Sequence, residues 1–186
     1  MFDRAVSKIE AKKKKGGVIV GRRFRKIKYD GTNVVLQYEE GDNFQNEYSL
    51  KCDERPRPEM AKVFNDLREE VRLLCELPPD YINRLEVRSV SLNYGGDNQT
   101  MGATLTARMK LEYSNAPLNL NTPNKPEEPY NTDCEYDDET YAKMCLRSEC
   151  IDKLYQLIDE ANYYVDGQRE QGNLFEGQEA EMQKAG

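Results

Sequence analysis

Histidine and tryptophan are absent from this 186-residue chain, and apolar residues never run long enough to span a bilayer. Without histidine there is no histidine-based triad and no histidine general base, so any enzymatic reading rests on carboxylates. Neither the phosphate-cradling Gly-x-x-x-x-Gly-Lys-Ser/Thr loop nor the Gly-x-Ser-x-Gly elbow occurs. A metal nuclease would have to gather residues such as Glu86, Lys110 and Glu112, which fit the polar face of a sheet better. No catalysis and no cofactor are therefore expected. The short apolar runs exclude a membrane helix, and Met1 to Lys15 lack the apolar core of a secretion signal, so a cytoplasmic protein without membrane contact is expected.

Five cysteines, Cys52, Cys75, Cys134, Cys145 and Cys150, include no Cys-x-x-Cys pair and have no histidine to complete a zinc site, so they read as reduced thiols. The acidic cluster Asp133, Glu135, Asp137, Asp138 and Glu139 lacks the spacing of a calcium loop and suits the start of a helix. No metal site is expected.

Charge is unevenly spread. The net charge is -7, yet Met1 to Asp30 holds eleven Lys or Arg against three acidic residues, a balance of +8 that leaves -15 for the rest. The cations form two groups: Lys12, Lys13, Lys14 and Lys15, then Arg22, Arg23, Arg25, Lys26 and Lys28 interleaved with Phe24, Ile27 and Tyr29. Cations neutralise phosphates with counterion release, and rings such as Phe24 and Tyr29 stack on unpaired bases, so this mixture suits single-stranded DNA or RNA. It equally suits a solvated basic arm followed by an edge strand that Lys and Arg protect from aggregation.

The length fits one α+β domain over residues 18–166, with a basic N-terminal arm at 1–17 and a flexible tail at 167–186. Residues 1–10 suit a short amphipathic helix through Phe2, Val6 and Ile9. Residues 18–29, 33–39 and 46–52 read as a three-strand meander, with turns at Asp30-Gly31-Thr32 and Glu40-Gly41-Asp42-Asn43. After Pro56 and Pro58, Met60, Val63, Phe64, Leu67, Val71 and Leu74 share one helical face that should cover the sheet, until Pro78 and Pro79 stop the helix. Leu105, Ala107, Met109, Leu111 and Tyr113 alternate with polar residues as one strand. Its partner, 85–94, changes phase between Val87 and Val90, which predicts a bulge near Arg88-Ser89. The polar linker 95–102 is too long for a tight hairpin and is a candidate binding loop, and the Pro/Asn-rich stretch 115–130 predicts an extended surface wrap. A final amphipathic helix should cover about 138–165. The expected fold is an antiparallel sheet in β-β-β-α-β-β-α order, covered by two amphipathic helices.

In the Gly/Glu/Gln-rich tail, Gln171, Leu174 and Phe175 place two large apolar residues where no core is visible, the pattern of an anchor for another protein's pocket. An amphipathic last turn that folds back onto its own body is the competing reading. The Gln-x-x-Leu-Phe spacing resembles the peptide by which bacterial and phage DNA-processing proteins bind the replicative sliding clamp, although Gly172 and Asn173 depart from that pattern. Leu73-Leu74-Cys75-Glu76-Leu77-Pro78, Gly102-Ala103-Thr104, 115–123 (NAPLNLNTP) and the closing Asn-Leu-Phe together resemble a family of uncharacterised phage and prophage proteins. That resemblance implies the context of early replication and recombination genes and the cytoplasm of a host cell. Two functions follow as expectations. One is a non-enzymatic accessory protein that holds single-stranded nucleic acid and recruits a sliding clamp or other host protein. The other is an acidic inhibitor of a host defence or nucleic-acid enzyme that mimics a phosphate backbone. An amphipathic final helix also leaves room for a homo-oligomer.

Overall fold

Alternating apolar and polar residues build three consecutive antiparallel strands, β1 (Arg23–Tyr29), β2 (Val34–Glu40) and β3 (Asn46–Cys52), joined by tight turns at Gly31 (φ 94°) and Gly41 (φ 104°). The computed structural model describes residues 21–131 and 135–170. The expectations for residues 1–20, for Asp133 and Cys134, and for Gln171, Leu174 and Phe175 lie outside the described residues. Two helices follow, α1 (Pro58–Asp66) and α2 (Arg68–Leu74), then a 3-10 turn over Pro79–Arg84. Next come β4 (Leu85–Gly95), β5 (Thr100–Met109), β6 (Leu118–Asn121) and β7 (Lys125–Pro126), and finally α3 (Asp138–Met144) and α4 (Ser148–Val165). The sheet is antiparallel throughout in the order β3-β2-β1-β4-β5-β6, with β7 beside β5. The expected α+β architecture, a sheet with helices packed against it, is present.

One face of the sheet carries the core. Phe24, Ile27, Leu36, Val87, Val90 and Leu105 meet Phe64, Leu67 and Val71 from α1 and α2, and Leu154, Leu157, Ala161 and Tyr164 from α4. Each fully buried Leu, Ile or Phe contributes about 1.5–3 kcal/mol relative to leaving it in water. Two bulges set which residues reach this core. The ladder slips between Val87 and Ser89, as the phase change in β4 requires, so Val87 and Val90 both point inward. A second slip between Phe24 and Lys26 does the same for Phe24 and Ile27.

Several boundaries differ from the sequence expectation. Strand β5 starts at Thr100 and stops at Met109, so only residues 96–99 form the hairpin turn, while Leu111 and Tyr113 stand exposed. Positive φ at Gly96 and Gln99 closes the β4-β5 connection more tightly than its length suggested. The stretch 115–130 is not merely a wrap, because β6 and β7 both pair with β5. The first long helix divides at Leu67, and the last is interrupted at Cys145, whose extended backbone lets the Leu146 amide donate to the Pro126 carbonyl at 2.8 Å. Asp137 caps α3 by accepting from the Thr140 amide at 2.7 Å. Residues 167–170 are not free tail: the Glu170 amide donates to the Arg55 carbonyl, and Arg169 pairs with Glu54.

Candidate nucleic-acid interface

The described helices occupy one face of the sheet, and the pleat sends every second side chain to the other. Cross-strand register traces a continuous row over that second face, Lys51–Val35–Lys28–Ser89–Thr106–Asn121, through all six strands of the main order. A neighbouring row runs Ser49–Gln37–Lys26–Ser91–Thr104. At the far end Glu86 faces Arg108, which faces Asn119. Six strands at about 4.8 Å spacing make this face about 24 Å wide from first strand to last. A shallow depression of about 550 Å³ lies on it, lined by Lys26, Lys28, Asp30, Arg88, Arg108 and Asn119 among others.

Among the described residues Lys26, Lys28, Lys51 and Arg108 form no ion pair within 4 Å. Arg88, the bulge residue of β4, is braced instead: it donates to the Asp30 carbonyl and pairs with Glu86 at 2.7 Å. Its Nε is buried without a hydrogen-bond partner. Asp30 is committed to its turn. The Asn33 amide and the Thr32 hydroxyl and amide donate to its carboxylate and hold its pKa well below the usual range. The open face therefore carries more free cations than free anions on a protein whose net charge is -7.

Of the basic strand residues singled out from sequence, only Lys26 and Lys28 line this depression. Arg22 pairs with Glu40 at 2.6 Å and Asp166 at 2.7 Å, so it ties β1 and β2 to the end of α4. Arg23 and Arg25 both donate to Glu39 and also lie over the ring of Tyr94. Burial alone would raise the Glu39 pKa, but the hydrogen bonds from Arg25 and Arg23 outweigh it and leave that pKa lowered. These three arginines are thus neutralised within the fold rather than held for phosphate. Phe24 is fully buried against Tyr38, which corrects its expected role: no ring face is left for a base. Tyr29 packs beside Phe64 and donates to the Gly31 carbonyl, so it belongs to the meander. Lys12, Lys13, Lys14, Lys15, Gln171, Leu174 and Phe175 lie outside the described residues.

One aromatic on the open face is Tyr130, from the Pro/Asn-rich stretch whose composition predicts a surface wrap. It lies over the β4-β5 hairpin, where Cβ atoms added at Gly95, Gly96 and Gly102 would stand 3.1, 3.1 and 2.7 Å from its atoms. The Asn93 amide donates to its Oη at 3.0 Å, and 40% of the residue stays exposed. The spacing of the three glycines was the available signal, because small residues on one strand face mark a close approach. Arg108 was visible as the polar phase of β5, but the register that places it near Lys28 was not.

A smaller recess of about 180 Å³ opens on the helix side, where Glu70, Leu74, Lys125, Cys145 and Cys150 meet. Burial pushes the Cys145 thiol up and that of Cys150 to about 12, which suits packing rather than nucleophilic chemistry. Among the described residues no three His, Cys, Asp or Glu side chains converge so as to hold a metal ion. No described helix is long and apolar enough to cross a membrane. No protein-family model matches this chain, and no curated protein or solved structure matches it.

Proposed function

We propose that this protein is a non-enzymatic accessory protein of phage DNA replication or recombination that binds single-stranded DNA or RNA across the open face of its sheet. Lys26, Lys28 and Arg108 contact phosphates, and Tyr130 stacks an unpaired base. The observation that carries this reading is the row Lys51–Val35–Lys28–Ser89–Thr106–Asn121, a mostly polar and cationic track that spans the sheet with no described helix over it. Thr106, Asn119 and Asn121 supply hydroxyl and amide groups for sugars and base edges without dictating a sequence. The acidic remainder of the chain repels a broad polyanion, so a single strand is favoured over a duplex.

The tail completes the proposal. Gln171, Leu174 and Phe175 recruit a sliding clamp or another host protein, while the sheet holds the nucleic acid. Fluorescence anisotropy with a labelled single-stranded oligonucleotide, in competition with duplex of the same length, tests the first half. Preference for the single strand at low salt is expected, and equal or exclusive duplex binding contradicts it. Clamp pull-down with the native chain against Leu174→Ala/Phe175→Ala tests the second half, and retention by both chains rejects the tail as the anchor.

A further inference from the structure

We propose that β3 is a self-pairing edge, through which two copies of this chain join their sheets antiparallel about a two-fold axis at Ser49. Among the described residues β3 hydrogen-bonds to β2 alone, and five of its seven residues, Asn46 to Ser49 and Lys51, are exposed. An uncovered edge strand is a template for another strand, and native proteins normally blunt it with charge. Here the charges are placed so that one partner turns them into attractions.

Pairing a second β3 about Ser49 sets Glu47 opposite the partner's Lys51 and Lys51 opposite the partner's Glu47. Within its own chain Glu47 faces Glu39, which Arg23 and Arg25 already engage. Lys51 faces Val35. Neither Glu47 nor Lys51 forms an ion pair among the described residues. Their shared strand keeps them about 14 Å apart, so they do not satisfy each other. The same register sets Tyr48 opposite the partner's Leu50 on the other pleat. Tyr48 is 45% exposed despite stacking on Tyr38, so this pairing buries surface that the single chain leaves in water. Both faces of the strand are thus complementary to their own two-fold image, which is the requirement for an isologous interface. A one-residue slip would set Glu47 opposite the partner's Leu50 or Cys52 and lose the match.

Sedimentation equilibrium of the full chain tests the pairing through charge reversal at two exposed sites. The native chain should dimerise, and Glu47→Lys or Lys51→Glu alone should weaken the dimer roughly tenfold or more, because each turns two attractive pairs into repulsive ones. Mixing the two single variants should restore a heterodimer, and the double variant Glu47→Lys/Lys51→Glu should restore a homodimer. Circular dichroism of each variant separates loss of pairing from loss of fold. A native chain that stays monomeric across the micromolar range overturns the proposal. So does association that is indifferent to the reversals, or a mixture that fails to recover it; the edge is then free or covered by another segment.

Discussion

Gly102 and Tyr130 fit so closely that a methyl group on the glycine would stand 2.7 Å from the tyrosine Oη and equally close to Asn93 Oδ1. The glycine thereby decides where the Tyr130 ring lies on the open face. Gly102→Ala should push Tyr130 off the hairpin, and Tyr130→Ala should remove the ring altogether. Both variants should weaken single-strand binding by about 1–3 kcal/mol, a loss of roughly 5- to 150-fold. Anisotropy titrations check this, with thermal melts to confirm that Tyr130→Ala, whose ring is outside the core, leaves the fold intact.

How much of this was legible in the sequence depends on how local the cause was. The slip in β4 could be read because Val87 and Val90 break the alternation within one strand. The slip in β1 is of the same kind, but Phe24 amid four nearby cations looked like an interface residue rather than a core one. The fate of Arg22, Arg23 and Arg25 was hidden because their partners, Glu39, Glu40 and Asp166, come from β2 and from the end of α4. Tyr130 was hidden for the same reason, since it meets glycines about thirty residues earlier in the chain. The break after Met144 is imposed by the backbone bond between Leu146 and Pro126, a tertiary contact that no helical period reveals.

Glu39 should make the fold acid-sensitive. Its pKa is lowered from an ordinary 4.5 in the folded state, so its contribution is present above about 4.5 and is lost as pH falls through the folded value. Melting curves below pH 5 should therefore fall more steeply for the native chain than for Glu39→Gln. Parallel curves for the two proteins would show that Arg23 and Arg25 do not depend on this carboxylate.

Glu160 carries the opposite sign. Desolvation raises its pKa above 4.5, only partly offset by Arg57 at 3.7 Å, and its Oε2 is buried with no hydrogen-bond partner. A raised folded pKa favours the protonated native state, so stability is fullest below about 4.5 and declines as pH rises through the folded value. Glu160→Gln should then stabilise the protein near neutral pH by about 1 kcal/mol, with the gain vanishing toward acid. Urea denaturation at two pH values checks both the sign and the convergence.

Leu157 lies fully buried on α4 against the sheet-facing core. Leu157→Ala should cost about 2–5 kcal/mol through lost contacts and the cavity left behind. Chemical denaturation measures it, and a loss under about 1 kcal/mol would mean that α4 is not packed as described.

The central claim is that free cations on the open sheet face neutralise phosphates, and the salt dependence of single-strand binding tests it most directly. Each phosphate contact contributes about 0.7 to the slope of log affinity against log salt. The triple variant Lys26→Ala/Lys28→Ala/Arg108→Ala should therefore bind more weakly than the native chain at low salt and lose about 2 from that slope. An unchanged slope and affinity in the triple variant, or no single-strand binding by the native chain at low salt, would contradict the account.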